Sequence, residues 1–366
     1  MLGEHARPKP DHALMYFDAH YMVNVTSAAT GKTVALTTVH SIHLKDDSKQ
    51  IGSSCKLVVP LASRIQYQDG KHDFLTDLTK NLFKSGDAIT VQCYYTGYPV
   101  LTIFQGFIYE FIEGTPMTIE CLDNIYLLNQ TTVNLSYSSI SLRDLLTRIL
   151  QGTGVTLMLP TLDLQLVDIT FRLMSPASIL QWFRTELGLN ISLINNQLYC
   201  NIASNIVSTG ILNSTRNVIA PRGLQKPEAV FLKLKVKCWF IQENGKKTSL
   251  EVGDEKGELR EVFFYKIPFS IKRYTQLAGE ALIKYKQMKF SGKVHTLLYP
   301  MIGLFWKVQY NDFRYPEENG NYTVVGREFK ADEHGYHWQY EMAYLSDLDS
   351  AVDQLAGDNN LINLNP

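Results

Sequence analysis

The stretch FKSGDAITVQCYYTGYPVLTIFQGFIYEFIEGTPMTIECLDNIYLLNQ occupies residues 83–130. Three apolar runs within it, 88–97, 100–112 and 116–122, are rich in branched and aromatic side chains and are separated by Gly, Pro or Asp. Such side chains fit a pleated surface and such punctuation ends strands, so three consecutive strands are predicted. On the N-terminal side, 13–27, 32–44 and 55–62 have the same character. Between these groups lies HDFLTDLTKNLF (72–83), with Asp73 placed as an N-cap and Phe74, Leu75, Leu78 and Leu82 on one face. A short helix is expected there, ending before Ser85-Gly86.

C-terminal to residue 130 the pattern changes. Residues 135–200 hold an internal repeat at an offset of 34, in which Ser141, Leu145, Leu146, Ile149, Gly154, Val155 and Leu157 match Ser175, Ile179, Leu180, Phe183, Gly188, Leu189 and Ile191. In each copy a Ser caps a helix and a Gly stops it before a strand, and Pro176 takes the first helical position of the second copy. Asn195-Asn196 then joins two short strands as a hairpin turn. A spacing of 34 also suits helical repeat arrays, but two copies containing strands do not make one. A small α+β module of two helix-then-strand copies is predicted.

Beyond it, 201–228 reads as a polar connecting segment with Pro221 and Pro227. Strand signals resume at 229–242 and 261–271, with 243–260 between them as a charged, solvated loop. TQLAGEALIKYKQM (275–288) places Leu277, Ala281, Leu282 and Tyr285 on one helical face. Four further strands follow at 294–299, 304–310, 321–329 and 336–344, with turns at Pro300, Asn319-Gly320 and His334-Gly335. Residues 351–366 contain four Asn and no aromatic residue, and are expected to be a flexible or partner-bound tail.

Composition excludes several functions. Lys and Arg total 35 against 36 for Asp and Glu, a net charge of −1, so no basic excess exists to neutralise nucleic-acid phosphates. The N-terminal residues lack the apolar core of a secretory leader, and the most apolar run, 98–112, carries Gln105 and Glu110; synthesis in the cytoplasm without membrane insertion is expected. The five cysteines, Cys55, Cys93, Cys121, Cys200 and Cys238, have no metal-ligand spacing and read as buried thiols. His40/His43 and His334/His337 are three residues apart, which on a strand places them on opposite faces rather than on one metal. Glu110 and Glu113 are separated in the same way, and nothing near Cys55 would lower its pKa. Walker loops, GxGxxG, HExxH and GxSxG are absent from the sequence. Neither catalytic, cofactor-binding nor metal-binding residues are assigned, and no cofactor is expected.

Two stretches resemble a known family. Gly86-Asp87 entering a strand, the F-x-G-x-I run at 104–111 and the PMTIECLDNIYLL run at 116–128 are similar to the first β domain of phage baseplate hub proteins, as in Mu-like tails (late-control-D-like) and the hub portion of type VI secretion spikes. The segment 277–340 resembles the closing part of such hubs: a helix with a Tyr-rich end, Gly292, Tyr299-Pro300, Gly303, NGNYTV at 319–324 and HGY at 334–336. The middle module is similar to the small α+β insert of the family and to the small domains of secretins.

The resemblance implies an α+β, β-rich fold with two β-barrel-like domains flanking a small α+β module. The expected units are 1–134, 135–205 and 206–350, with interleaving allowed, followed by the 351–366 tail. It further implies a non-enzymatic homotrimer in the virion tail, a hub that contacts tail tube and spike and presents a pseudo-six-fold ring. The rivals are a baseplate cell-wall hydrolase, which needs converging carboxylates or a metal cluster, and a secretin-like or adhesin-like surface component, which needs export.

Overall fold

The computed structural model of the chain describes residues 18–67, 74–158, 164–187, 189–200, 208–222, 224, 233–241, 245–265, 270–289 and 291–344. The expectations for 13–17, 68–73 (Asp73 included), Gly188, 201–207, Pro227, 229–232, 266–269 and 351–366 lie outside these residues.

The quoted stretch forms β7 (Ala88–Tyr95), β8 (Leu101–Ile112) and β9 (Met117–Leu122). In β7, Ile89, Val91, Cys93 and Tyr95 are buried while Thr90, Gln92 and Tyr94 are partly exposed, the period of two that one buried face requires. A bulge opposite Val91/Gln92 turns both Ile103 and Phe104 inward and coils the sheet. Gly106 sits where β8 meets β9 so closely that a Cβ would lie 2.2 Å from the Leu122 carbonyl oxygen.

Before these strands come β1 (Ala19–Thr26), β2 (Thr33–Leu36), β3 (Ser41–Asp47), β4 (Ser54–Val59), β5 (Ala62–Tyr67), β6 (Phe74–Leu78) and the helical turn α1 (Thr79–Leu82). The strands of this first half run in the order β3-β4-β9-β8-β7-β1-β2-β5-β6. The helix expected over 72–83 is therefore corrected: 74–78 is a strand, and only one helical turn remains. Antiparallel pairing of β6 with β5 overrides the local helical pattern, and the Thr79 hydroxyl fixes the corner by donating to the Pro60 carbonyl at 2.8 Å.

The middle module contains α2 (Ile125–Asn129), β10 (Val133–Ser141), α3 (Leu142–Leu150), β11 (Thr156–Leu157), β12 (Gln165–Met174), α4 (Pro176–Glu186), β13 (Ile191–Ile194) and β14 (Gln197–Cys200). Ser141 and Ser175 cap α3 and α4, their hydroxyl oxygens accepting from the Asp144 and Ser178 amides at 3.0 and 3.2 Å. Asn195 and Asn196 adopt φ of 48° and 65°, the left-handed pair of a two-residue hairpin turn. The repeat is longer than expected, because β10 and β12 precede the two helices and pair with each other.

The rest of the chain adds β15 (Thr209–Asn213), β16 (Val218–Arg222), β17 (Leu234–Ile241), β18 (Lys247–Gly253), β19 (Glu258–Tyr265), α5 (Ile271–Lys289), β20 (Ser291–Leu297), β21 (Lys307–Asn311), β22 (Gly320–Asp332) and β23 (Gly335–Tyr344). Two expectations are corrected here. The connecting segment 201–228 contains β15 and β16, which sit at the margins of the sheet and bond on one side only. The solvated loop 243–260 contains β18 and the start of β19, which flank β17 and turn charged side chains to water.

The second half of the large sheet runs β16-β20-β23-β22, with β21 and β15 branching from β22, and joins the first half where β22 pairs with β3. The β-rich α+β class holds, but the sheet is open and does not close into two barrels. Nor do the packed cores follow the cuts at 134/135 and 205/206. One core lies under both halves of the large sheet. The other joins the middle module to β17, β18, β19 and α5, which belong to a chain segment inserted between β16 and β20.

Two measurements follow. Phe183 is fully buried against Phe171 and Trp182, so Phe183→Ala should cost about 3–5 kcal/mol in denaturant unfolding, and a loss below about 1 kcal/mol would place the ring outside the core. Glu280 on α5 is partly buried near Cys200, and burial pushes its carboxyl up to about 8. The folded state thus holds a proton that the unfolded chain releases in the ordinary glutamate range. Stability should fall as pH rises from about 4.5 through about 8, and Glu280→Gln should flatten that fall in melting curves.

Candidate assembly surface

The seam between the two halves is built on β22. Its first residues pair with β21; a bulge between Val324 and Gly326 then redirects it, and Gly326 to Ala331 pair with β3, from Asp47 back to Ile42. β23 covers the other edge of β22 over most of its length. At the seam, Arg327 Nε donates to Asp46 Oδ2 at 2.8 Å with side-chain exposures of 14% and 8%, and Arg327 Nη1 donates to the Ile302 carbonyl at 3.2 Å. The guanidinium lies 5.5 Å from the ring centre of the buried Trp338. On the opposite face of β22, Glu328 bonds His43 of β3 and accepts from Gln339 Nε2 at 3.3 Å.

A second set of contacts ties the halves through their loops. Tyr95 donates to the Tyr336 carbonyl at 3.1 Å and accepts from the Leu298 amide at 3.3 Å, while the Tyr299 hydroxyl donates to the Pro99 carbonyl. Tyr95, Tyr98 and Tyr299 form one aromatic cluster there.

Away from the seam the sheet ends open. Among the described strands β6 pairs only with β5, β16 only with β20 and β15 only with β21. Large apolar side chains lie exposed along these margins: Leu61 and Leu78 by the β5–β6 hairpin, Ile219 on β16 and Ile211 on β15, the last 60% exposed. Next to β15, the loop after β21 carries Phe313, 71% exposed, and Tyr315. That loop is held from below by Asp312, whose buried carboxylate accepts from the Arg314 amide, Nε and Nη2 at 2.8, 3.1 and 2.9 Å and from the Tyr310 hydroxyl at 3.1 Å. The Arg314 guanidinium holds the Asp312 carboxyl well below the usual carboxylate range. An open strand edge with exposed apolar side chains is what edge-to-edge assembly requires.

The residues weighed for chemistry do not converge. His43 faces Glu328 across the seam, His334 stands in the β22–β23 turn beside Glu333 at 3.7 Å, and His337 lies on β23. The His40 amide donates to the Val58 carbonyl at 2.7 Å. Glu113 meets Lys80 at 3.2 Å, and Glu110 opposes Glu120 between β8 and β9. Among the described residues no three His, Cys, Asp or Glu are placed to share a metal ion. All five cysteines are free and buried; burial pushes the Cys93 and Cys238 thiols up to about 12 and Cys55 well above its ordinary value. Sequence reasoning missed Asp46, Arg327 and Phe313. Their places are set by pairing between distant strands, which no local spacing marks.

The fold is shared with solved phage-tail proteins. No family model and no curated protein sequence matches the chain. Among solved structures, the tail protein from Neisseria meningitidis MC58 superposes with a TM-score of 0.60 at 12% identity over 89% of this chain and 96% of that one. The 43 kDa tail protein of prophage MuSo2 from Shewanella oneidensis does so with a TM-score of 0.58 at 13% identity, over 90% and 98%. The E. coli c3393 protein, a type VI secretion system component with structural similarity to the T4 bacteriophage tail proteins gp27 and gp5, gives a TM-score of 0.54 at 9% identity over 89% and 77%. No described helix is long and apolar enough to cross a membrane.

Arg327→Met should leave Asp46 buried without a partner and cost about 3–5 kcal/mol, read by Trp338 fluorescence during denaturant unfolding. Adding Asp46→Leu should recover most of the loss. An equal loss in single and double variants would mean that the pair itself is not what holds the seam.

Proposed function

We propose that the chain is a structural component of a phage tail or tail-like contractile apparatus, the baseplate hub that joins tail tube to central spike, and that it acts without catalysis. The observation that carries this reading is the fold shared with tail proteins over about nine-tenths of the chain and nearly the whole length of two of them. The two-part sheet supports it. Each chain supplies two β halves already joined edge to edge at the β22–β3 seam, with far margins that are unpaired among the described residues. In a homotrimer three such chains place six β halves about one axis, which matches a three-fold spike to a six-fold tube. The virion baseplate is the corresponding location, and tube and spike proteins are the corresponding partners.

Light scattering at high protein concentration tests the trimer. The expected mass is three times 41.6 kDa, and it should fall to that of one chain when Ile211 and Ile219 are both replaced by Lys, with the melting temperature of the fold retained. A wild-type protein that stays monomeric alone and beside tube and spike would overturn the proposal. So would release of soluble fragments from a cell-wall preparation by the purified protein.

A further inference from the structure

The small sheet β18-β17-β19 buries one face against α5. Val236, Cys238, Phe240 and Phe264 are buried on that face, and Phe240 stacks on Tyr274 of α5. The alternate residues point the other way, where Trp239 of β17 stacks beside Phe263 of β19 with ring centres 6.5 Å apart. On this outward face Leu259, Phe263 and Tyr265 are 52%, 45% and 43% exposed.

β19 is also a sheet edge, pairing only with β17 among the described residues. The Glu258 amide donates to the Lys233 carbonyl at 3.2 Å, so Glu258, Arg260, Val262 and Phe264 turn their backbone groups toward β17. The N–H and C=O groups of Leu259, Glu261, Phe263 and Tyr265 therefore point to the open edge, because these directions alternate along a strand. The same four residues carry the exposed side chains of the outward face. Natural sheet edges are blunted by charge. Here Glu258 and Arg260 pair with each other at the start of the strand, and 262–265 carries no charge at all. A strand laid along this edge gains main-chain hydrogen bonds and side-chain contacts from one set of residues. The opposite edge differs, since Thr248, Ser249 and Leu250 of β18 are buried.

Glu261 selects the kind of strand. The parallel register sets Lys237 beside it, yet Lys237 Nζ lies 3.6 Å from Glu251 and 4.5 Å from the ring centre of Trp239. Glu261 is exposed and forms no ion pair among the described residues. A second copy does not supply the missing cation. Two-fold pairing of β19 with itself keeps each face on its own side, so Glu261 would meet Glu261, Leu259, Phe263 or Tyr265. Like charges or an apolar neighbour opposite a carboxylate oppose pairing.

We propose that the β19 edge takes an extended segment of another protein as an added strand, with a Lys or Arg of that segment opposite Glu261 and apolar or aromatic side chains two residues to either side, against Leu259 and Phe263. This edge is separate from the margins of the large sheet invoked for the trimer, and the inference does not depend on the hub reading.

The test uses the full chain and two end-blocked peptides, Val-Thr-Lys-Thr-Tyr-Thr-Tyr and the same residues in reverse order, which cover parallel and antiparallel addition. Binding is followed by fluorescence anisotropy of labelled peptide. At least one order should bind saturably, and Glu in place of its Lys should weaken binding about three-fold to ten-fold. Glu261→Lys, at an exposed position, should invert that preference with an unchanged melting temperature. N-methylation of one alternate set of peptide amides should abolish binding and of the other set leave it, since only one set faces β19. Phe263→Pro removes an edge-facing N–H and should abolish binding too; if that variant fails to fold, Glu261→Lys and the methylated peptides decide. Failure of both orders to bind, no inversion in Glu261→Lys, or indifference to both methylated sets would each overturn the proposal. So would a self-associated wild type that Phe263→Pro turns monomeric, which would assign the edge to a second copy.

Discussion

The pairing of β22 with β3 is the constraint on which the rest of the molecule depends. It joins residues 281 positions apart, Arg327 to Asp46, and makes one sheet of two halves. Closing so long a loop adds little entropy cost over a shorter one, because that cost grows only logarithmically with length. The register is another matter. A slip of one residue would carry Arg327 to the face of Glu328 and turn Glu328 toward Trp338, burying a lone carboxylate in the core. The ion pair therefore contributes to specificity of register, whatever its net effect on stability.

The second core is tied to the first by short, polar connections. The Leu193 amide donates to the Ile51 carbonyl at 2.5 Å, and Arg184 Nη2 donates to the Ser48 carbonyl at 2.7 Å, both in the turn between β3 and β4. That turn follows directly from the seam strand, so the middle module is positioned by the same element that joins the halves. Because α5 and the strands β17, β18 and β19 are inserted between β16 and β20, the chain leaves the first core and returns to it. Neither core is completed by a contiguous piece of chain, and the two are expected to fold together.

Legibility in the sequence tracked the range of the interactions. β7 and β9 were readable because one face is buried along their whole length, and α3 and α4 because Ser141 and Ser175 announce them locally. The turn at Asn195-Asn196 was readable because few residues accept that backbone. β6 carries a helical pattern because its strand state comes from β5 rather than from its own sequence. β18 and the start of β19 carry the charge pattern of a loop because edge strands keep their charges. The seam and the exposed Phe313 are set by strand pairing between distant segments, and no local spacing signals them.

A two-part sheet whose margins are unpaired among the described residues is suited to repetition around an axis, the use proposed for it. Electron-microscopic imaging of the assembled protein, alone or on its spike, tests it most directly. The account predicts a three-fold ring of six similar β lobes, in which lobes within a chain and lobes of neighbouring chains meet edge to edge around a central channel. Isolated chains, or a ring in which neighbours touch only through the middle module, would contradict it.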